Sequence, residues 1–364
     1  MPLSEVKPED YEELLAEKVS EVCALLAPYN PPAPTIAPSP RTGYRMRAEF
    51  RMWHDDADLY YVMFHRDAPK VPVRITKFPV AAAAIQSLMP SLLGKLQGND
   101  TLRQKLFQVE FLSTLAGDML VTLIYHRKLD DQWQVQANLL AQQLGIKVVG
   151  RSRKQKLVLS EDHVIEELPI AGRNYRYRQY EQSFTQPNAA VNVRMIEWAA
   201  EIASTKSGDL LELYCGNGNF TLPLAAHFDR VIATELSKVA TRAARHNLVG
   251  NNVSNVEIIR LAAEEVTQAM AGEREFRRLR ELPQPLSDYK LDTVFVDPPR
   301  AGLDKATLSM VSRFPAIIYI SCNPITLAEN LAVLKDTHAV THFALFDQFP
   351  YTHHMECGLS LERR

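Results

Sequence analysis

The sequence predicts two parts of different fold class: an N-terminal α+β part with an antiparallel sheet, and a C-terminal α/β part with a parallel sheet. At 364 residues the chain is longer than a single compact domain usually is. Before about residue 180 the predicted strands alternate apolar and polar residues, whereas beyond it short apolar strands alternate with helices. We therefore expect two domains, residues 1–180 and 181–364.

The N-terminal part begins with a predicted helix and a proline-rich connector. Leu15, Val22 and Leu26 belong to an apolar set at helical spacing within residues 8–27, which predicts an amphipathic helix. Residues 27–40 then hold six of the chain's 22 prolines, and this composition predicts an extended connector.

Strands dominate the rest of the N-terminal part. From Tyr44 to Met52 apolar side chains occupy one face, and Arg45, Arg47 and Arg51 lie on the other. Further strands are predicted at 59–65, 106–115 and 119–126, with helical segments near 80–97 and 131–144. Such a combination is typical of an antiparallel α+β domain.

The C-terminal part follows a different pattern, in which a helix at 189–203 precedes short apolar strands separated by helices. These strands are predicted at 209–214, 230–235, 256–261, 293–297 and 316–321. Strands that are apolar throughout are buried on both faces, so they indicate a parallel sheet covered by helices. Sheets of this kind bind ligands at the carboxyl ends of their strands.

Composition and charge argue against several classes of protein. The formal net charge of −2 argues against a protein that coats nucleic acid, so any phosphate-binding surface must be a local basic patch. Apolar runs are too short to span a membrane, and the polar, acidic N-terminus is unlike a signal peptide. We expect a cytoplasmic protein.

The cysteines do not form a metal or disulfide pattern. The chain holds four of them, scattered and without a CxxC pair, so we expect free thiols. His353 and His354 precede Glu356, but the spacing HHxE differs from the zinc motif HExxH. Substrate contact or capping is the favoured role for these histidines, and no metal is predicted.

Three predicted strand ends carry residues suited to a ligand site. Gly216 and Gly218 follow the first strand and would let the backbone approach a ligand, although glycines in such turns are common. Glu235 ends the next strand, where a carboxylate binds ribose hydroxyls in doubly wound folds; a helix-capping role is the alternative. Asp297 ends a later strand and is followed by two prolines, which fix the loop.

The chain resembles a known family at the ordered motifs SFTQPN, LELYCGNGNF, ATE, FVDPPRAGL, YISCNP and FPYTHHMECG. Together they look like the RNA 5-methyluridine methyltransferases. The N-terminal segments YRMRAEFRMWHD, KLFQVEFL and TLIYHRKLDDQWQ are similar to that family as well, so the resemblance covers nearly the whole chain. The branch that modifies uridine 54 in the tRNA T-loop resembles the chain most.

The resemblance implies a Rossmann-like S-adenosylmethionine methyltransferase domain at the C-terminus and an RNA-binding domain at the N-terminus. It assigns cofactor contacts to Gln186, Tyr214, Asn219, Glu235 and Asp297. Relatives that act on ribosomal RNA carry an additional N-terminal barrel or a cysteine cluster that holds an iron–sulfur centre. Neither is found in this sequence, which favours the tRNA branch.

Methylation at C5 of uracil requires activation of a poorly nucleophilic carbon. A thiolate that adds to C6 makes C5 nucleophilic, and a base then removes the C5 proton. By resemblance Cys322 is the nucleophile and Glu356 the base. Arg300 is a candidate cation to lower the pKa of the thiol, whereas partial burial should raise the pKa of Glu356.

Two basic segments are candidates for phosphate contacts, because the target uridine must be turned out of a folded RNA loop. One is the strand face with Arg45, Arg47 and Arg51, and Arg300 is a further candidate contact for the RNA. The other comprises Lys147, Arg151, Arg153, Lys154, Lys156, Arg173, Arg176 and Arg178. Either could instead be an ordinary solvated face. Phe107 resembles a base-stacking residue, and a core position is its alternative.

We thus expect a tRNA (uracil-5-)-methyltransferase activity on the T-arm of tRNA, with tmRNA as a candidate second substrate and a monomeric enzyme. Three alternatives stay open. They are uridine methylation of ribosomal RNA, methylation of an amino group, and a non-catalytic RNA-binding or chaperone function. An amino-group methyltransferase would have an aromatic residue where Arg300 stands and no use for Cys322.

Overall fold

A computed structural model describes residues 3–56, 58–65 and 68–364. Two compact units divide the chain. The first comprises Met1–Glu9, Pro40–Glu167 and Gln179–Ala189; the second comprises Asp10–Ser39, Leu168–Arg178 and Ala190–Arg364. The units are interleaved in sequence, which differs from the single boundary at residue 180 that we predict from the pattern. That boundary, as a division into RNA-recognition and catalytic regions, stays a prediction.

The first unit is built on a seven-stranded sheet. Its strands are β2 (Arg47–Asp55), β3 (Asp58–His65), β4 (Ala68–Arg74), β5 (Leu106–Ser113), β6 (Met119–Tyr125), β7 (Lys147–Ser152) and β8 (Gln155–Val158). Its helices are α2 (Ala83–Gln97), α3 (Asp100–Arg103) and α4 (Asp131–Leu144). The strand order is β4-β3-β2-β5-β6-β7-β8. Phe50, Tyr61, Phe78 and Phe111 form the aromatic core.

One pair of this sheet departs from the antiparallel prediction, since β6 and β7 run parallel. Helix α4 connects them, and a parallel pair requires such a crossover. Asp130 caps α4 by accepting a hydrogen bond from the amide of Trp133 at 2.9 Å. A side chain at Gly150 would overlap Trp133, since a Cβ there would lie 2.2 Å from the indole ring. The helix therefore packs directly on β7.

Strands β9 (His163–Ile170) and β10 (Arg173–Tyr180) form a separate two-stranded sheet. The boundary between the units falls within both strands. The sequence patterns did not predict this sheet.

The second unit contains an eight-stranded sheet. Its strands are β1 (Thr35–Ala37), β11 (Asp209–Leu213), β12 (Arg230–Thr234), β13 (Val256–Ile259), β14 (Leu291–Val296), β15 (Ala316–Ser321), β16 (His338–Phe346) and β17 (Glu356–Arg363). Its helices are α1 (Tyr11–Leu26), α5 (Ala189–Ala203), α6 (Thr221–Leu224), α7 (Lys238–Gly250), α8 (Ala263–Met270), α9 (Lys305–Val311) and α10 (Pro324–Leu334). The predicted helix at 8–27, the helix at 189–203 and the five apolar strands are confirmed.

The strand order β1-β16-β17-β15-β14-β11-β12-β13 positions the site. The chain moves outward from β11 through β12 to β13, then returns to β14 on the other side of β11. A crevice forms at the carboxyl ends where the direction of winding reverses, and ligands bind there in doubly wound sheets. Strand β17 runs antiparallel between β15 and β16.

The proline-rich connector contributes a strand of its own. Thr35, Ile36 and Ala37 pair in parallel with the end of β16. Helix α1 packs against α10. These contacts place residues 10–39 in the second unit, although in the chain they lie between two segments of the first unit. Within the described ranges, the structure contains no helix that is both long enough and apolar enough to cross a membrane.

Candidate active site

The carboxyl ends of β11, β12, β14 and β15 bring the predicted residues to one edge of the eight-stranded sheet. Tyr214 follows β11, Glu235 follows β12, Asp297 follows β14 and Cys322 follows β15. Because these strands pair in parallel, their ends meet at the same edge. The sheet therefore supplies a common support for nucleophile and candidate cofactor contacts.

The turn after β11 adopts the backbone geometry that its glycines permit. Gly216 has φ 57° and Gly218 has φ 86°, both in the left-handed region. A Cβ at Gly218 would lie 2.7 Å from a methyl carbon of Leu222, so a side chain does not fit. A Cβ at Gly216 would meet no heavy atom within 4 Å, so the space beside this backbone can accept a ligand.

Glu235 is held in place by the backbone. Its carboxylate accepts hydrogen bonds from the amide of Gly216 at 3.2 Å and from the amide of Ser237 at 2.6 Å. The first bond links the ends of β11 and β12. A carboxylate fixed in this way can accept hydrogen bonds from ribose hydroxyls, as the position at the second strand end predicts.

Asn219 is fixed by two other segments of the second unit. Its side-chain amide exchanges two hydrogen bonds of 2.9 Å with that of Asn192 on α5. Its backbone carbonyl accepts a hydrogen bond of 3.0 Å from the hydroxyl of Tyr177. The start of α6 is therefore rigidly held beside the glycine turn.

The loop that follows Asp297 is fixed by helix α10. The backbone carbonyl of Arg300 accepts hydrogen bonds from the side chains of Asn323 at 3.0 Å and Thr326 at 3.2 Å. Asn330, also on α10, accepts a hydrogen bond from the amide of Leu303 at 3.0 Å. The loop that carries Arg300 is thus attached to the helix that begins directly after the thiol.

Strand register brings the thiol and the second carboxyl to the same face. Ser321 lies opposite Cys357 in the antiparallel pair of β15 and β17. Continuing this register by one residue places Cys322 opposite Glu356. Directly opposed residues in an antiparallel pair point to the same face, with Cβ atoms about 4.5 to 5.5 Å apart. The predicted nucleophile and base are therefore neighbours.

The pKa of Glu356 is raised well above its ordinary range. Burial is the largest cause, and the neighbouring Asp297 adds to it, whereas Arg300 opposes the shift. Glu356 is only 3% exposed. The prediction that burial raises the pKa of this carboxyl is confirmed.

The pKa of the thiol is set by opposing neighbours. Burial, Glu356 and Asp297 raise the pKa of Cys322 to about 11, while Arg300 lowers it. The prediction that Arg300 is a cation that lowers this pKa is therefore confirmed, but its effect is smaller than the combined effect of burial and the two acids. At neutral pH the thiol is protonated, and a bound positive charge would favour the thiolate.

Two further carboxyls are shifted by burial. Burial raises the pKa of Asp297 to about 7. Glu212 lies on β11, 1% exposed, and burial together with Asp297 raises its pKa to about 8. Among the described residues its Oε2 atom has no hydrogen-bond partner. Sequence reasoning missed Glu212, although an acid inside an apolar strand was a visible signal.

Arg300 also contacts the segment between β16 and β17. Its guanidinium donates a hydrogen bond to Nδ1 of His354 at 2.7 Å. The adjacent His353 ring lies 4.0 Å from that of His354. Within the part of the chain that the structure describes, no group of three or more His, Cys, Asp or Glu side chains is arranged to hold a metal ion.

Of the predicted RNA-contact residues, Arg45, Arg47, Arg51 and Phe107 lie in the first unit and Arg300 lies in the second, and several have internal partners. The guanidinium of Arg47 donates to the backbone carbonyls of Glu181 and Ser183, both at 2.9 Å. Arg45 donates to the carbonyl of Arg47 at 2.9 Å. Burial lowers the pKa of both arginines. Their contact with RNA stays a prediction, as does the cofactor contact of Gln186, which also lies in the first unit.

Phe107 is half-buried at the start of β5 and forms a stack with its neighbours. The ring of His126 lies 3.9 Å from its centre, and the guanidinium of Arg51 lies 4.0 Å from it. Groups this close occupy both faces of the ring. The stacking of an RNA base on Phe107 therefore stays a prediction that requires one of these neighbours to move.

Three of the eight cations in the second basic segment form ion pairs with acids. Lys147 contacts Asp118 and Glu161, while Arg151 and Lys156 both contact Glu181. Arg153 and Lys154 are exposed. A sequence run of cations thus contains fewer available charges than its composition indicates.

Sequence and structure comparisons agree on the relationship of the chain. The sequence profile of the tRNA (Uracil-5-)-methyltransferase family matches residues 10–364. A protein of Vibrio parahaemolyticus named tRNA/tmRNA (uracil-C(5))-methyltransferase is 52% identical, with all of both chains covered. A protein of Acinetobacter baylyi with the same name is also 52% identical, over 97% of this chain and 98% of its own.

The fold matches a solved structure of lower sequence identity. It is the tRNA (uracil-54, C5)-methyltransferase of Pyrococcus abyssi in complex with S-adenosyl-L-homocysteine, with a TM-score of 0.73 and 20% identity. The match covers 96% of this chain and 83% of that chain. At this identity the match supports the fold, an α/β methyltransferase fold with an appended α+β unit. The chain belongs to the tRNA (Uracil-5-)-methyltransferase family.

Proposed function

We propose that this protein methylates C5 of uridine 54 in the T-loop of tRNA, with S-adenosylmethionine as the methyl donor. The juxtaposition of Cys322 and Glu356 carries the proposal: Cys322 follows directly on the last residue of β15 that pairs with β17, and Glu356 acts electrostatically on its thiol. This chemistry needs one nucleophile for C6 and one base for the proton on C5. The family relationship and the names of the relatives support tRNA, and tmRNA as a second substrate.

The residues at the sheet edge fit such a cofactor. The open space beside Gly216 admits a ligand close to the backbone, and Glu235 presents a fixed carboxylate to ribose hydroxyls. Tyr214, Gly218, Asn219 and Asp297 lie at the same edge, and Gln186 completes the proposed set. When bound, the cofactor supplies a methyl group on a positively charged sulfur.

The chain's own residues act at two atoms of the uracil. The sulfur of Cys322, once its proton has passed to water, forms a bond to C6 as the electrons of the C5–C6 double bond move toward O4, so that C5 becomes nucleophilic. A bound cofactor would supply the methyl group to C5 and retain its sulfur as a neutral thioether. Glu356 then accepts the proton from C5, and the electrons of that bond restore the double bond as the C6–sulfur bond breaks and the thiolate leaves. Glu356 must be ionised to accept this proton, and its raised pKa makes the carboxylate a stronger base once it is ionised.

Arg300 has an electrostatic role in this scheme. It is the cation that lowers the pKa of both Cys322 and Glu356. Because a positive charge favours the thiolate and the carboxylate alike, it supports both catalytic groups in their active forms. In the first unit, Arg51, which is exposed, together with the half-buried Arg45, Arg47 and Phe107, is the proposed contact for the T-arm.

Replacement of Cys322 by alanine tests the nucleophile. We expect methyl transfer to unmodified tRNA to disappear, together with the protein–RNA adduct that survives denaturing electrophoresis. Cys23→Ala is the matched control, since this half-exposed thiol on α1 should leave both signals intact. Full activity in the Cys322 variant would overturn the proposed mechanism.

The substrate needs a separate test. Competition between tRNA and ribosomal RNA at equal ionic strength, with mass spectrometry of the modified nucleotide, should give 5-methyluridine at position 54 of tRNA. Methylated ribosomal RNA in excess would favour the alternative substrate. We further propose that the enzyme is a cytoplasmic monomer that works without a metal ion, so chelators should leave its rate unchanged.

A further inference from the structure

A buried lysine on the first helix holds the segment between the last two strands. Lys18 on α1 is only 7% exposed. Its ammonium contacts the carboxylate of Asp347, which is 1% exposed. It also donates to the backbone carbonyls of Phe349 at 3.3 Å and His354 at 3.1 Å. We call residues 347–355, between β16 and β17, the β16–β17 loop.

These contacts use all the donors that a lysine has. An ammonium carries three N–H groups, and here there are three acceptors. Asp347 begins the β16–β17 loop, Phe349 follows it closely, and His354 lies near the end of the loop. Lysine is almost never buried unless it is paired. A single side chain therefore joins both ends of the loop to α1.

The same loop reaches the candidate active site. His354, whose backbone Lys18 holds, accepts a hydrogen bond from Arg300 through its ring. The loop ends at Met355, directly before Glu356. A continuous chain of contacts thus runs from Lys18 through His354 to the guanidinium of Arg300.

We propose that Lys18 is a positioning residue, which fixes the β16–β17 loop and, through His354, holds the guanidinium of Arg300 beside Cys322 and Glu356. Its relevance to catalysis rests on the proposed function. The positioning itself concerns the protein without RNA or cofactor and can be measured there.

The charge environment of Cys322 shows why the position of Arg300 matters. The titratable groups that act on the thiol or are acted on by it are Glu356, Asp297, Arg300, Tyr319 and Cys357. Among them Arg300 is the group that lowers the pKa of the thiol, while the acids raise it. If the guanidinium loses its restraint, its average interaction with the thiolate becomes weaker.

The experiment measures alkylation of Cys322 by iodoacetamide as a function of pH, with the modified peptide identified by mass spectrometry. Below the pKa of the thiol the rate follows the thiolate fraction. In Lys18→Met we expect the pKa to rise by about 0.5 to 1 unit, so that alkylation at pH 8 slows about three- to tenfold. His354→Ala should shift the profile in the same direction.

Two controls separate positioning from loss of folding. Lys206→Met removes an ion pair with Glu362, at the other end of β17, and should leave the profile unchanged. Cys23 lies on α1 with Lys18, so its alkylation rate in the same sample reports local unfolding of that helix. Should Lys18→Met fold poorly because Asp347 is left without its cation, the double variant Lys18→Met/Asp347→Asn removes both charges.

The outcomes are distinct. A profile shift at Cys322 with unchanged reactivity at Cys23 supports the proposal. An unshifted profile in a folded Lys18 variant, or an equal shift in Lys206→Met, overturns it. Because the assay contains neither RNA nor cofactor, a failure of the proposed methyl transfer would not produce either result.

Discussion

Two buried glutamates, one in each unit, show how neighbours decide the state of the same side chain. Glu181 in the first unit is 4% exposed, and Glu356 in the second is 3% exposed. Hydrogen bonds and attraction from Arg151 and Lys156 hold the pKa of Glu181 below its ordinary value despite burial. Glu356 has Asp297 beside it, and its pKa is raised. Burial alone therefore does not distinguish a structural acid from a catalytic one.

The two acids also have different partners. Glu181 binds two cations and accepts a hydrogen bond from the hydroxyl of Thr122, so it joins strands of the first unit. Glu356 lies beside the thiol of Cys322 and the carboxyl of Asp297, an arrangement that costs stability. Groups held in such unfavourable surroundings are typical of functional sites.

The largest effect should follow the replacement of Glu356 by glutamine. Without a base for the C5 proton, we expect methyl transfer to slow by about 100- to 10,000-fold and the covalent RNA adduct to accumulate. Time courses of methyl incorporation and denaturing gels measure the two signals. The Glu181→Gln variant should complete methyl transfer without accumulating the adduct. Accumulation of adduct in that variant would contradict the view that only Glu356 accepts the C5 proton.

Glu181→Gln should change stability rather than chemistry. It leaves Arg151 and Lys156 without their shared counterion, and because both cations are partly exposed we expect a loss of about 2 kcal/mol in the free energy of unfolding. Urea denaturation at pH 7 measures it. An unchanged midpoint would show that solvent replaces these ion pairs at little cost.

The pH dependence of stability should have opposite signs for the two types of acid. Between about pH 4 and pH 7 the folded protein holds a proton on Asp297 that the unfolded chain has lost, so its contribution to stability falls as pH rises. For Glu181 the lowered pKa gives a contribution that is present above its ordinary value of 4.5 and lost on acidification.

Asp297→Asn isolates the first of these contributions. The free energy of unfolding of this variant minus that of the unchanged protein should increase by about 1 to 2 kcal/mol as the pH is raised from 5 to 8. Denaturant titrations at the two pH values give the difference. A variant whose stability kept the same pH slope as the unchanged protein would show that Asp297 does not hold the proton.

The smallest effect is expected for an exposed pair. Arg280 and Glu275 are bridged at 2.9 Å with side chains 73% and 86% exposed. We expect Arg280→Gln to change the free energy of unfolding by less than about 0.5 kcal/mol. This variant sets the baseline for Glu181→Gln and Asp297→Asn in the same denaturation assay. A loss of stability as large as that of Glu181→Gln would show that burial does not determine the strength of these ion pairs.

The sequence predicts the sheet edge well because position along a parallel strand fixes where a strand-end residue lies. Glu235, Asp297 and Cys322 needed no knowledge of distant contacts beyond the strand pattern. The effect of Arg300 on Cys322 was predicted, but the net rise in the pKa of the thiol was not, because the sum of burial and two acids depends on tertiary neighbours. The same limit applies to Glu212 and Lys18, whose partners are distant in sequence.

For the basic segments the sequence predicted more charges available to RNA than the structure provides. Arg47, Arg151 and Lys156 read as charges available to phosphate, yet each binds an acceptor within the first unit. A run of cations in a sequence carries no information about which of them the fold has already paired. Such pairs can be identified only when the pairing and register of the strands are known.

The contact between Lys18 and Asp347 spans 329 residues of chain. Ribosomes add about 5 to 20 residues per second, so the helix emerges roughly 20 to 70 s before its counterion has been made. During translation the first helix and strand β1 therefore remain without their partners while the intervening residues are synthesised. The second unit cannot complete its contacts with α1 until the partners of Lys18 at residues 347, 349 and 354 have been made, and a nascent chain halted before residue 347 should leave Lys18 open to chemical labelling.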